Sequence, residues 1–328
     1  MTTTIPYPRI GLLIDGEWIY DRPTLCNVEN PSTEATIGTV PKATEADLQA
    51  ALASSARGFE VWRKTPPTER AALMRRAAAL VRQRAEDIAP IFVLESGRTL
   101  AEVRAEIERS ATFLDWDSEE IRRIYGRIVP TDPPIQQYVI REPVGPVAAF
   151  TPWNVPMSAP SRKISASLAT GCSIILKPSS DTPATACLFA QCFIDAGLPK
   201  GVLNVVFGDS DQVSRTLVLS PVTRLVTLTG SIHVGKHLSR LAVETMKPVL
   251  MELGGHAPVL IFDDADLDAA LDRVRHGVDG RYGGAAGGGV ALAVCMHTML
   301  TSGITAPMRT LFTGVFGLPL GTLRKPLN

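Results

Sequence analysis

From Val144 to Gly255 the sequence alternates between short apolar runs and helix-patterned segments, and this alternation restricts the fold more than any other feature. "VGPVAAFTPWN" is an apolar strand running into a polar turn, and "APSRKISASLATG" after it is helical. "CSIILKPSS" is a second strand, "TPATACLFAQCFIDAGLP" a helix closed by Gly197, and "VLNVVFG" a third strand. "RLVTLTG" and "PVLMELGG" add two strands around the helix "HVGKHLSRLAVETM". Strands that alternate with helices predict a parallel sheet with crossover connections, an α/β fold. Such sheets bind ligands at the carboxyl ends of their strands. Those ends here are "TPWN", "KPSS", "FGDS", "TGSIHVG" and "ELGG", rich in the small, hydroxyl and charged residues a nucleotide crevice needs.

The preceding segment is organised differently. Residues 8–41 read as short strands and turns, with an Asp-Gly hairpin signal in "GLLIDGEWIY". Thr44 caps a helix with Asp47 in its first turn. Two helical stretches follow, "PTERAALMRRAAALVRQRAEDIAPIFVLESG" and "LAEVRAEIERSATFLDWDSEEIRRIYG", with Gly97 between them. "RIVPTDPPIQQYVIREPVG" has the prolines and alternation of an extended arm or hairpin, poorly buried by itself.

Several strand-end residues have chemistry of their own. Gly230 and Gly235 sit between a strand and a helix start, where glycine lets a phosphate reach backbone amides; a tight turn without ligand explains them equally well. Lys177 ends an apolar strand and would point a cation into the crevice, or snorkel to the surface. Glu252 follows "PVLM" and precedes two glycines. Burial there would raise its pKa and suit it to general base work, while a salt-bridged or capping glutamate is the plainer reading. Trp153-Asn154 offers an amide for an oxyanion, or a cap for the next helix.

The chain as a whole carries 33 basic and 33 acidic residues, which gives no reason to expect nucleic acid or an anionic membrane as partner. Its five cysteines show neither zinc-site spacing nor a disulfide framework; Cys187 and Cys192 lie among apolar neighbours and read as inert thiols. No metal site is expected. The N-terminal stretch lacks a basic region followed by an apolar run, so no export signal is read and a reducing cytoplasm is expected.

Taken together, "IDGEW", "NPSTEATIGTVP", "ESGRTLAEVRAEI", "PVGPVAAFTPWNVP", "LATGCSIILKPSSDTP", "LPKGVLNVVFG", "LTGSIHVGK" and "MELGGHAPVLIFDDADLDAA" resemble the aldehyde dehydrogenase superfamily from about Leu12 to about Leu271. The resemblance implies attack on an aldehyde by a cysteine thiolate, hydride transfer to NADP or NAD, and hydrolysis of the thioester. It implies a Rossmann-like cofactor domain over residues 1–123 and 144–250, an extended oligomerisation arm over 124–143 and a truncated, aberrant catalytic domain over 251–328. Asn154 matches the oxyanion-hole amide and Glu252 the general base. Lys177 matches the lysine at the adenosine ribose, and Trp153 lies on the same cofactor-lining turn. Gly230, Ser231 and Gly235 match the pyrophosphate loop, and Gly208 the glycine before the next cofactor-contacting helix. Ser180 stands where NAD-preferring members often carry a glutamate, which implies that NADP is accepted. "PSRK" is similar to the succinate-semialdehyde branch, where an arginine at the position of Arg162 is available to the substrate's distal carboxylate; a surface helix arginine is the alternative. The partner is then a small aldehyde, in a homo-oligomer by family.

The stretch "DGRYGGAAGGGVALAVC" departs from that pattern. Counting from Glu252 puts the nucleophile's place at Ala286, and aligning on Arg281-Tyr282 puts it at Gly289; neither residue can attack a carbonyl. Cys295 would need a sizeable insertion to reach the site, so it is a weak nucleophile candidate. All 33 acidic residues lie in the first 279, and the last 49 have none, a bias that fits a shifted reading frame. The family's later "EIFGPV" motif and the C-terminal strand that pairs with a neighbouring subunit are absent, which bears against the homo-oligomer. A second expectation is therefore a catalytically dead remnant that at most binds nucleotide or a full-length relative. Tyr282 to Met308 carries no charge, but its glycines, Ser, Thr, His and Pro make it a poor membrane span.

Overall fold

The computed structural model describes residues 6–255, 259–261, 265–266, 268–270 and 292–294. The chain divides into two compact units, Met1–Leu253 and Gly254–Asn328. In the first unit, β1 (Leu12–Ile14) and β2 (Glu17–Ile19) form the expected hairpin, paired Leu13 to Trp18. Its turn holds Asp15 at φ 54° and Gly16 at φ 79°, the left-handed pair that Asp-Gly accepts at least cost. β3 (Leu25–Glu29) and β4 (Thr36–Pro41) pair as a separate antiparallel ribbon.

Helix α1 (Glu45–Trp62) starts on Thr44. The Thr44 hydroxyl accepts from the Asp47 amide at 3.2 Å, and the Asp47 carboxylate accepts from the Thr44 amide at 2.8 Å. The first long helical stretch of the sequence is two helices, α2 (Pro67–Gln83) and α3 (Ala85–Ser96). The break falls at Arg84, whose ψ of 8° leaves the helical range and whose guanidinium pairs with Asp195 at 2.6 Å. Gly97 ends α3 at φ 68°, and Thr99 caps α4 (Leu100–Glu120). β5 (Arg127–Val129) and β6 (Gln137–Val139) then pair as an exposed two-stranded arm bearing Tyr125, Ile128, Tyr138 and Ile140 in the open.

The rest is the predicted alternation: β7 (Val147–Phe150), α5 (Ser158–Ala169), β8 (Ile174–Lys177), α6 (Pro183–Asp195), β9 (Leu203–Val205), α7 (Ser210–Leu219), β10 (Leu225–Gly230), α8 (Ile232–Val243) and β11 (Val249–Leu253). The strands form one seven-stranded sheet in the order β11-β10-β7-β8-β9-β1-β2. Five strands are parallel, and the N-terminal hairpin extends the sheet as an antiparallel edge through Leu13 opposite Val205. Strands β7, β8 and β9 are almost wholly buried, as near-continuous apolar runs covered by helices on both faces must be. Trp62 closes one of those layers, donating from Nε1 to the Leu168 carbonyl at 2.9 Å while its ring is buried. Each such large apolar side chain contributes about 1.5–3 kcal/mol on burial.

In the second unit, β12 (Val259–Ile261) and β13 (Leu292–Val294) pair in parallel. Ala286, Gly289 and Cys295 lie outside the described residues. Among the described residues no helix is long and apolar enough to cross a membrane, and no cluster of side chains could hold a metal.

Candidate functional site

The strand order reverses at β7. β8 and β9 run outward on one side of it, β10 and β11 on the other. The crevice beyond the carboxyl ends of β7 and β10 is therefore the sheet's topological switch point, where doubly wound sheets take their ligands. Trp153 and Asn154 follow β7, Gly230 and Ser231 end β10, Lys177 and Ser180 follow β8, and Gly208 follows β9, so one edge of the sheet collects them all. Thr151, the first residue past β7, has its Oγ1 buried with no hydrogen-bond partner among the described residues.

Four crossover helices begin at this edge, and each offers backbone amides and positive potential to an anion. Three of these ends already hold a carboxylate. At α5, Glu106 from α4 accepts from the Ser158 amide at 3.0 Å, the Met157 amide at 3.3 Å and the Ser158 hydroxyl at 3.1 Å, and is paired with Arg98. At α6, Glu95 from α3 accepts from the Ala184 and Thr185 amides at 2.7 and 2.9 Å, from the Thr185 hydroxyl at 2.6 Å, and from Tyr7 at 2.6 Å. At α7, Asp209 accepts from the Asp211 and Gln212 amides at 3.1 and 3.0 Å. Among the described residues, only α8 is without one. Its cap is the neutral Ser231 hydroxyl, which accepts from the Val234 amide at 3.2 Å.

Glu95 and Glu106 have no local sequence signature as helix caps, because the amides they accept from lie 51 to 90 positions along the chain. Burial pushes the Glu95 carboxyl up to about 7 against the pull of its donors. Burial first, and then the Glu95 charge, raises the Tyr7 hydroxyl as well.

The turn after β7 is held from outside. Arg98 donates to the Asn154 carbonyl at 3.4 Å and Thr182 to the Trp153 carbonyl at 3.5 Å. Asn154 is exposed and does not cap α5; Glu106 does that work. Lys177 is mostly covered. Burial lowers its pKa, opposed by the charges of Asp181 and Asp209. It makes no hydrogen bond or ion pair from its side chain among the described residues. A Cβ on Gly208 would meet Val213 at 3.0 Å, so the chain packs tightly where it enters α7. Gly235 is buried, and a Cβ there would come within 2.6 Å of Leu253; its missing side chain lets α8 lie on β11.

Glu252 departs from expectation. It is exposed rather than buried, because among the described residues β11 is the edge strand of the sheet, hydrogen-bonded on one side to β10, and Val249, Leu250 and Leu253 are exposed with it. Beneath it lies a lysine that sequence reasoning did not single out. Lys163, beside Arg162 in "PSRK", is buried and donates to the Thr227 hydroxyl at 2.8 Å. Burial pushes its ammonium down to about 8, the Glu252 charge opposing and the Arg162 charge assisting. Its position on the apolar face of α5 was the available signal. Arg162 points the other way. It is exposed and stacks over the Phe113 ring at 4.5 Å. Cys187 and Cys192 are buried, and burial raises both thiols, Cys192 to about 11. Neither is a nucleophile.

A doubly wound sheet with its switch point at β7 is the α/β architecture in which many proteins take a dinucleotide. The family model described as "Aldehyde dehydrogenase family" matches residues 18–285, and the chain belongs to that family. It is 42% identical over 267 residues to a 4-(hydroxymethyl)benzenesulfonate dehydrogenase of Comamonas testosteroni, covering 81% of this chain and 56% of that protein. It is 39% identical to an NADP-dependent succinate-semialdehyde dehydrogenase of Escherichia coli, covering 80% of this chain and 55% of that one. A crystal structure of succinate-semialdehyde dehydrogenase from Burkholderia pseudomallei superposes with a TM-score of 0.78 at 39% identity, over 81% of this chain and 56% of that one. The chain thus spans about half the length of the curated relatives it matches.

Proposed function

We propose that the chain binds NADP or NAD across the switch point and serves in the oxidation of a small aldehyde to its acid, with succinate semialdehyde as the leading candidate. The observation that carries this reading is the α8 N-terminus, the one crossover-helix end of four at which no carboxylate sits among the described residues. A pyrophosphate there meets backbone amides that no carboxylate among the described residues has taken. In this reading Gly230 and Ser231 shape the pyrophosphate loop, and Gly235 lets α8 pack beside it. Lys177 and Ser180 face the adenosine ribose, while Gly208 and Trp153 flank the cofactor. The bound nicotinamide supplies the hydride acceptor. Asn154, exposed at the β7 turn, is free to donate to an oxyanion. Glu252, accessible and next to a buried ammonium, would take a proton from water. Arg162 would hold a distal carboxylate only by leaving Phe113, and the names of the succinate-semialdehyde relatives are what favour that substrate. Residues 1–123 and 144–250 form the cofactor domain, 124–143 the oligomerisation arm, with its exposed apolar side chains as the contact surface, and 251–328 the catalytic portion. The described free thiols suit a cytoplasmic setting.

A second reading, a nucleotide-binding chain without aldehyde turnover, is favoured by Ala286 or Gly289 at the nucleophile's place. The experiment is NADPH formation by the purified chain with succinic semialdehyde and NADP, beside Cys295→Ala. Turnover lost in the variant assigns the nucleophile to Cys295. No turnover from either, with nucleotide still bound in titration, assigns the silent binder. A folded chain that binds neither NAD nor NADP contradicts both readings.

A further inference from the structure

The charges around Lys177 point to a preference that Ser180 alone does not predict. Lys177 ends β8, and Asp209 follows β9, its parallel neighbour; Leu176 is in register with Val205, and the Val206 amide donates to the Leu176 carbonyl at 2.9 Å. The two side chains therefore leave adjacent strands at the same edge, and each feels the other's charge. Asp181, four residues after Lys177, acts on it too. Both carboxylates are exposed and neither is in an ion pair among the described residues. Asp209 is held by the α7 amides, and Asp181 accepts from the Ser179 hydroxyl at 2.8 Å. Lys42 also acts on Asp209. The next carboxylate along, Asp211, is neutralised by Arg215 at 2.9 Å. Among the described residues, Lys177 and Lys42 thus stand against Asp209 and Asp181 at this edge.

We propose that Asp209, backed by Asp181, is the residue that sets this site toward a dinucleotide with a free ribose 2′-hydroxyl and against one with a 2′-phosphate. The inference rests on the reading that Lys177 faces the adenosine ribose. A hydroxyl there donates to a carboxylate or accepts from Lys177. A phosphate dianion gains Lys177 but meets two carboxylates, and Coulomb repulsion at this range in a partly wet crevice is worth about tenfold in affinity. The serine at position 180 removes one carboxylate from the ribose end, and these two restore the negative field.

The test is titration of the full chain with NAD and with NADP, for the unaltered protein, Asp209→Asn and Asp181→Asn. Asparagine caps a helix as well as aspartate does, so Asp209→Asn removes the charge and keeps the α7 cap. The expected result is tighter binding of NAD than NADP by the unaltered protein. NADP affinity should rise about tenfold in Asp209→Asn and less in Asp181→Asn, with NAD affinity nearly unmoved. Raising salt from about 0.05 M to about 0.5 M should shrink that gain, since exposed charges are screened over such distances. A structural role for the aspartate would not show that salt dependence. An unaltered protein that prefers NADP, or an NADP-to-NAD ratio that Asp209→Asn does not move, overturns the proposal. If neither nucleotide binds the folded chain, the nucleotide reading of the site falls first and this inference with it.

Discussion

The two sides of the switch point use the same chemistry for opposite ends. On the β8 side, the amides that open α6 are closed by Glu95, and across β7 those that open α5 are closed by Glu106. Both carboxylates are buried and both come from the preceding helical layer. On the β10 side, α8 opens on an exposed serine. A helix end answered by a buried carboxylate locks one layer of the domain to another; one answered by a hydroxyl keeps its potential for a ligand. The difference teaches that a strand-end glycine or hydroxyl is a poor guide to the ligand by itself. What matters is whether the fold has already supplied the anion.

That contrast can be broken from its closed side. Glu106→Ala removes the acceptor of two amides and a hydroxyl and leaves the half-buried Arg98 without its ion-pair partner, so urea denaturation should show a loss of about 3 kcal/mol. Glu106→Gln, which keeps an acceptor oxygen, should lose less. A loss below about 1 kcal/mol for the alanine variant would mean that the α5 end is not held by this carboxylate.

The next effect is a pH dependence at Glu95. Its carboxyl is pushed up from 4.5 to about 7 in the fold by burial, so the folded chain holds this proton where the unfolded chain releases it. The contribution of Glu95 is thus fully present below about pH 4.5. It is lost as pH rises toward about 7 and is level above that, a change on the order of 3 kcal/mol. The stability difference between the unaltered protein and Glu95→Gln, followed by denaturation over that range, should move against the unaltered protein as pH rises. A flat difference would mean that the four donors keep Glu95 ionised throughout.

The open side is sharpened by closing it. Ser231→Asp places a carboxylate at the α8 end, as on the other three helices. Nucleotide affinity should fall about tenfold or more by titration while stability is kept or slightly raised, because aspartate is a strong cap. The smallest effect belongs to Ser231→Ala, which loses one capping bond and should cost about 1 kcal/mol in denaturation. If Ser231→Asp binds as well as the unaltered chain, the pyrophosphate does not lie at α8.

What the sequence determined by itself is whatever short-range physics encodes. The alternation after Val144 was enough for the parallel sheet, Asp15-Gly16 for the hairpin turn, and Thr44 with Asp47 for the α1 start, because each depends on residues a few positions apart. The glycines and hydroxyls at the strand ends were legible for the same reason. Tertiary structure decided the rest. It joined the N-terminal hairpin to β9 across nearly two hundred residues and brought Glu95 and Glu106 to helix ends they do not adjoin in sequence. It also left Glu252 on an open edge strand while burying Lys163 behind it. Periodicity records which face of an element is apolar, but it does not record which distant carboxylate will satisfy an orphaned amide. In this chain that pairing closes two of the four helix ends at the crevice, and the local cap Asp209 closes a third.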